Sequence, residues 1–275
     1  MKNVFSIIAT LPLMVLASAS FSQTLPTADE ILKNSRDRDD GSSYASNVTL
    51  SLIGKGGSIR NRHFYMFQKD LEGNEERALM HFNKPADVRG VSFLIVNYGE
   101  DQSKADDQWM FLPAFRKTRR IGSNDKRGDF MGAVFNYSDL DKIRVLDYEN
   151  TLLGEEEVLG KSAWLIERIP VSQGVINKTG YYKTKMWIAK ESKVVLQQHY
   201  YNAKGVVFKI QQSTKIEKIQ GIWTTIESRA EDLESEKSSI MTFTDIVYNV
   251  DVSDERVSKR SLKKTIRASD MPTPE

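Results

Sequence analysis

Short apolar runs separated by glycine- and asparagine-containing turns fill the chain from Tyr44 onward. Gly54-Lys55-Gly56-Gly57, Asp70-Leu71-Glu72-Gly73-Asn74, Asn202-Ala203-Lys204-Gly205 and Ile219-Gln220-Gly221 each lie between two strand-like segments. Gly or Asn supplies the positive φ that a tight hairpin needs, so these positions predict successive antiparallel strands in a meander. Ahead of them, Thr27-Ala28-Asp29-Glu30 has the spacing of a capping box, followed by Ile31 and Leu32 on one stripe. That predicts one short helix ending near Asp37. The tail from Ser253, followed by Asp254-Glu255, reads as a second short helix before the polar end Met271-Pro272-Thr273-Pro274.

Several strands lack the clean alternation of a half-solvated sheet. In Val91-Ser92-Phe93-Leu94-Ile95-Val96, in Trp109-Met110-Phe111-Leu112 and in Ala163-Trp164-Leu165-Ile166, both sets of alternate positions are largely apolar. Ile222, Thr224 and Ile226 alternate more conventionally with Trp223, Thr225 and Glu227. Strands apolar on both faces need cover on both. A curved sheet with helices on its concave face satisfies this, and so does one with a ligand there. No linker, internal repeat or low-complexity tract divides the chain, so the simplest organisation is one domain over residues 23–275.

The first 22 residues stand apart. Lys2 precedes an apolar stretch, broken by Pro12, and small residues follow at Ala17-Ser18-Ala19. This is the layout of a cleavable signal peptide, cut near residues 19–23, and it predicts export. The chain has no cysteine, which excludes disulfides and a lipid-modified cysteine after the signal, so the fold rests on its own core. Without Lys2 the chain is close to neutral, so charge gives no general attraction to nucleic acid.

Candidate chemistry is sparse. His63, His81 and His199 are far apart, and none has metal-ligand spacing. There is no G-x-S-x-G elbow, and Lys55-Gly56-Gly57-Ser58 lacks the spacing of a phosphate loop and reads as a hairpin turn. Glu100, Asp101, Asp106 and Asp107 lack the alternate ligands of a calcium loop and read as a solvated loop. No catalytic residue, metal site or cofactor is expected. Arg116-Lys117-Thr118-Arg119-Arg120 is either the polar face of a strand or a docking surface for an acidic partner or anionic headgroups. Phe130-Met131, between Gly128 and Gly132, suits a deformable flap over a cavity, but on the residues alone a buried β-bulge is the favoured reading.

The strings DQWMFLPAFRKTRRI and GDFMGAVFNYSDL resemble the signature of the LolA-like outer membrane lipoprotein-sorting family. Met186-Trp187-Ile188, His199-Tyr200-Tyr201, Gly221-Ile222-Trp223-Thr224 and Phe243-Thr244-Asp245-Ile246 continue the likeness, which spans roughly residues 27–265. It implies a mainly β, α+β fold: an unclosed antiparallel barrel, or half-pipe, with helices over its concave apolar face. It also implies a periplasmic carrier of lipid or lipoprotein acyl chains, working with an RND-type inner-membrane exporter. On that basis Phe93, Ile95, Trp109, Phe111, Phe130, Met131, Phe135 and Trp164 are the candidate acyl-site residues. Arg116, Lys117, Arg119 and Arg120 are the candidates for docking to the exporter or to headgroups. Ala133-Val134 stand where the family usually has a Ser-Asp pair, and Asn136 and Ser138 replace commoner polar residues, so polar contacts made there by relatives do not carry over. The competing reading is an accessory subunit of an envelope transporter, with the same sheet packed shut; an enzyme would need a convergent polar pocket.

Overall fold

The computed structural model describes residues 25–99 and 104–273. The expected signal peptide, Glu100 and Asp101 lie outside the described residues. Thirteen strands form one antiparallel sheet. They are β1 (Ser43–Ile53), β2 (Ile59–Leu71), β3 (Glu75–Lys84), β4 (Ser92–Asn97), β5 (Asp107–Leu112), β6 (Lys117–Arg120), β7 (Tyr148–Val158), β8 (Lys161–Pro170), β9 (Lys183–Ala189), β10 (Val195–Tyr201), β11 (Val207–Ile219), β12 (Ile222–Asp232) and β13 (Lys237–Tyr248). Their order is β6-β5-β4-β3-β2-β1-β13-β12-β11-β10-β9-β8-β7, so two meanders join where β1 pairs with β13. All four expected hairpins are present. Gly57, Gly73, Gly205 and Gly221 take the left-handed φ values that the turns require.

Two helices occur among the described residues, α1 (Ala28–Arg36) and α2 (Gln173–Thr179). The α1 start is the capping box read from the sequence: the Glu30 amide donates to Thr27 Oγ1 (3.2 Å) and the Thr27 amide to Glu30 Oε2 (2.8 Å). Its buried stripe, Ala28, Ile31 and Leu32, packs on Ile166, Met186 and Ile188 of β8 and β9. The tail does not form the expected helix. Ser253 Oγ does accept from the Arg256 amide (3.2 Å), but the chain continues as turns, with a 3-10 turn at Ser261–Lys263.

The sheet is not closed, and contacts of one carboxylate show that it is curved. Asp141 accepts from Gln108 Nε2 of β5 (2.8 Å) and pairs with Lys178 Nζ of α2, which leads into β9 (3.1 Å). A flat sheet would hold β5 and β9, nine strand spacings apart, about 43 Å from each other. Both walls therefore bend towards the segment 122–141, which lies inside a half-pipe.

Directly paired residues present their side chains on the same face, so the inner surface can be followed strand by strand. Phe93 pairs with Met110 and Met80, Phe64 with Phe82 and Val48, and Leu50 with Met241. Then Met241 pairs with Ser228, Ser228 with Ser213, Gln211 with Gln198, Gln198 with Met186, and Met186 with Ile166. The inner face is apolar on its two walls and polar along part of its floor. Helix α1 covers the β8–β9 wall. The β2–β5 wall is covered by the irregular segment 122–141, not by a helix. On the outer face the tail lays Val252, Val257, Leu262 and Ile266 over Phe67, Leu79, Leu94 and Val96. This double cover explains why every residue of β4 is buried.

Candidate inner groove

Segment 122–141 is a plug built from short 3-10 turns. Phe130 is fully buried, with its ring centroid 5.1 Å from Phe93, 6.1 Å from Phe82 and 5.7 Å from Tyr137. Met131 takes a left-handed φ of 52° and packs on the same cluster, half-buried. The Phe130 amide donates to the Phe135 carbonyl (2.7 Å), which closes the segment on itself. Phe130-Met131 lies in a 3-10 turn with Phe130 buried, and not in the bulge of a strand.

Two buried polar clusters hold the plug. Asp141 receives Lys126 Nζ (2.9 Å) as well as Gln108 and Lys178, and the Asp141 and Lys126 side chains are each only 4% exposed. Burial lowers the Lys126 pKa although Asp141 opposes the shift; for Lys178 burial also pulls downward, but Asp141, Asp147 and Asp106 together raise it. In the second cluster Lys209 Nζ donates to Asp139 Oδ2 (2.5 Å), Tyr181 Oη (2.9 Å) and Asn136 Oδ1 (3.2 Å), and Tyr181 donates to Asp139 Oδ1 (2.6 Å). No structural role for these residues is read from the sequence; Asn136 stands out only as a departure from the family pattern. Only the N-x-x-D spacing of Asn136 and Asp139, which forms a capping box, offered a signal.

Burial pushes the hydroxyls of Tyr44, Tyr181 and Tyr200 well above the ordinary phenol value. A pKa raised on folding contributes stability that is intact below the unfolded value, about 10, and is lost as pH rises through it towards the folded one. Melting temperatures should therefore fall steeply above pH of about 10. Tyr181→Phe removes one ionisable hydroxyl while keeping the ring 4.2 Å from Tyr200, and should flatten that alkaline limb in melts followed by circular dichroism.

The eight candidate acyl-site residues do not form one surface. Phe93, Ile95, Phe130, Met131 and Phe135 converge on the inner face. Trp109 pairs with Leu94, and Phe111 with Ser92, so both belong to the outer face and pack beneath the tail. Trp164 lies on the far inner wall, with the α1 cluster. The strand period of two separates Phe93 from Trp109 and Phe111, which the sequence reading had grouped in one wall. Arg116, Lys117, Arg119 and Arg120 are exposed along the edge strand β6 and the turn before it, and Arg120 pairs with Asp107. Asp106 and Asp107 are buried rather than in a solvated loop: the Tyr98 amide donates to Asp106 (3.1 Å) and the Tyr98 hydroxyl to Asp107 (2.9 Å). The histidines are strand residues; His81, for instance, is buried against Ser92 Oγ (2.8 Å).

The groove is not filled completely. Beside the plug, over β1, β13, β12 and β11, lies a cavity of about 300 Å³. Tyr44, Phe135, Leu140, Met241, Phe243, Ile246 and Tyr248 supply its apolar lining, and Gln211, Ser213, Thr224 and Ser228 its polar lining. Phe135 is the one candidate acyl-site residue that reaches it. Arg38 and Asp40 border both this cavity and a polar cleft of about 700 Å³ between the chain after α1 and the ends of β2, β3 and β4.

A curved, unclosed antiparallel sheet whose inner groove is occupied by its own loop is the LolA-like half-pipe. Residues 74–264 match the model of a family described as an uncharacterized protein, and the chain belongs to this DUF1329-like family. It is similar to a DUF1329 family protein from Desulfovibrio piger, with 28% identity over 86% of this chain and 97% of that one and a TM-score of 0.78. It is also similar to a putative outer membrane lipoprotein-sorting protein domain from Vibrio parahaemolyticus, with 26% identity, the same TM-score, and coverage of 86% and 98%. A LolA superfamily protein from Nitrosomonas europaea shares the fold at 18% identity and a TM-score of 0.64, over 86% of this chain and 100% of that one. No curated protein matches. No helix among the described residues is long and apolar enough to cross a membrane.

Proposed function

We propose that this protein is an exported, non-catalytic carrier that holds the acyl portion of a lipid or lipoprotein in its inner groove and moves it between the membranes of the cell envelope. The observation that carries this reading is the cavity of about 300 Å³ left between the plug and the floor of the half-pipe, with Phe135, Met241 and Phe243 among its apolar lining. The likeness to a lipoprotein-sorting domain supports the same assignment. Burying each methylene contributes about 0.8 kcal/mol, so part of one chain gives useful affinity without near-irreversible binding. The signal-like N-terminus supports periplasmic residence, and the exposed Arg116, Lys117 and Arg119 supply a docking surface for an RND-type exporter or for headgroups. Organic extracts of gently purified protein should contain an acyl lipid by mass spectrometry, and a fluorescent fatty acid should bind and be displaced by lysolipid. Protein without extractable lipid that binds no such probe overturns the carrier.

One observation favours a second reading. Phe93 and Phe130 lie in a closed core, as in an accessory subunit that binds a transporter and no lipid. Charge reversal at Arg116 and Arg119 separates the two: an accessory subunit loses its only activity, whereas a carrier keeps lipid binding and loses delivery.

A further inference from the structure

Seven carboxylates and five basic side chains line the polar cleft, so its lining carries a net negative charge. Asp40, Asp70 and Glu76 surround Lys142, which pairs with Glu76 and lies 3.6 Å from Asp40; Arg38 also lies 3.7 Å from Asp40. Asp70 has no ion pair among the described residues. Asn97, 6% exposed, donates through Nδ2 to Glu76 Oε1 (3.0 Å). Asn97 lines the cleft, and its Oδ1 is buried and has no hydrogen-bond partner. A buried acceptor left unpaired costs about 1–3 kcal/mol, so the site is built to receive a donor. Burial also raises the pKa of Glu76, against the pull of Lys142; a further positive charge would relieve it.

We propose that this cleft recognises the primary ammonium group of an amphiphile whose apolar part occupies the adjoining cavity. The inference deepens the carrier reading and rests on it for the apolar half of the ligand. An ammonium offers three N–H donors with its charge, which suits Asn97 Oδ1 and the carboxylates of Asp70 and Glu76 together. A quaternary ammonium has no N–H donor and is held by aromatic faces, and no aromatic residue among the described residues lines the cleft. A metal ion is a poorer fit, because no group of three acidic or histidine side chains among the described residues converges as ligands. Arg38 and Asp40, shared by the cleft and the cavity, mark where headgroup and chain would join.

The test uses delipidated full-length mature protein and lysophospholipids that share one saturated chain and differ only in ethanolamine, choline or glycerol headgroups, titrated calorimetrically below their micellar concentrations. The ethanolamine form is expected to bind about tenfold tighter, equivalent to about 1.4 kcal/mol. Asp70→Asn and Glu76→Gln should each bring the ratio towards unity. Asp70 is exposed, so its variant reports on the site even if the buried Glu76 variant folds poorly. Equal affinity for the three headgroups, or a preference that survives Asp70→Asn and Glu76→Gln, overturns the headgroup site and leaves the carrier standing. Failure of all three to bind overturns both.

Discussion

Phe130→Ala lowers the free energy of unfolding by about 3–5 kcal/mol, the range for deleting a buried aromatic ring from a packed core. Phe130 is the centre of the seal between plug and wall. Its ring meets Phe82, Phe93 and Tyr137, all contributed by elements distant from it in sequence or by the far end of the plug. Segment 122–141 lacks the continuous backbone ladder of a helix or strand, so it depends on side chains to stay seated. Urea titration followed by circular dichroism measures the change. Phe115→Ala is the control: that side chain is 69% exposed, and its removal should shift stability by no more than about 0.5 kcal/mol. A Phe130→Ala loss below about 1 kcal/mol would show that the plug is not seated in solution.

What the sequence revealed and what it hid divide along a physical line. Local chemistry was legible. Thr27 and Glu30 close the capping box that their spacing announces, and the glycine turns at 57, 73, 205 and 221 join the strands that flank them. Apolar character on both faces of residues 91–96 correctly demanded two covers. The nature of the covers was not legible, because the plug and the tail are irregular and carry no period of 3.6 or 2. Nor was it possible to assign Phe93 and Trp109 to opposite faces without the register that pairs Phe93 with Met110. A polar residue on an inner-facing position, such as Asn97 or Glu76, looks in the sequence like the end of a strand. It becomes a candidate site only when the walls bend and bring β3, β4 and Lys142 together.

The same bending makes Asp141→Asn the second large effect. Asp141 touches Gln108 of β5, Lys126 within the plug and Lys178 of α2, so a single carboxylate connects both walls through the loop between them. Asparagine keeps the volume and the acceptor for Gln108 but leaves Lys126, which is buried, and Lys178 without their counter-charge. Removing one partner of a buried ion pair costs about 3–5 kcal/mol, because the remaining charge stays in a poorly solvated place. Lys126→Met removes the most buried of these charges, and adding it to Asp141→Asn should recover part of the loss, with a coupling of about 1–3 kcal/mol in a double-mutant cycle. Strict additivity in urea unfolding would rule out direct coupling of the pair. Hydrogen exchange supplies the link to function. If the carboxylate holds plug to groove, Asp141→Asn speeds exchange of the Phe130, Ala133 and Tyr137 amides, which bond within the plug, more than that of the β11–β12 ladder. A carrier whose plug gives way to an acyl chain needs a loop that opens at lower cost than the sheet beneath it. Equal acceleration everywhere would make Asp141 a global staple and remove the plug as the moving part.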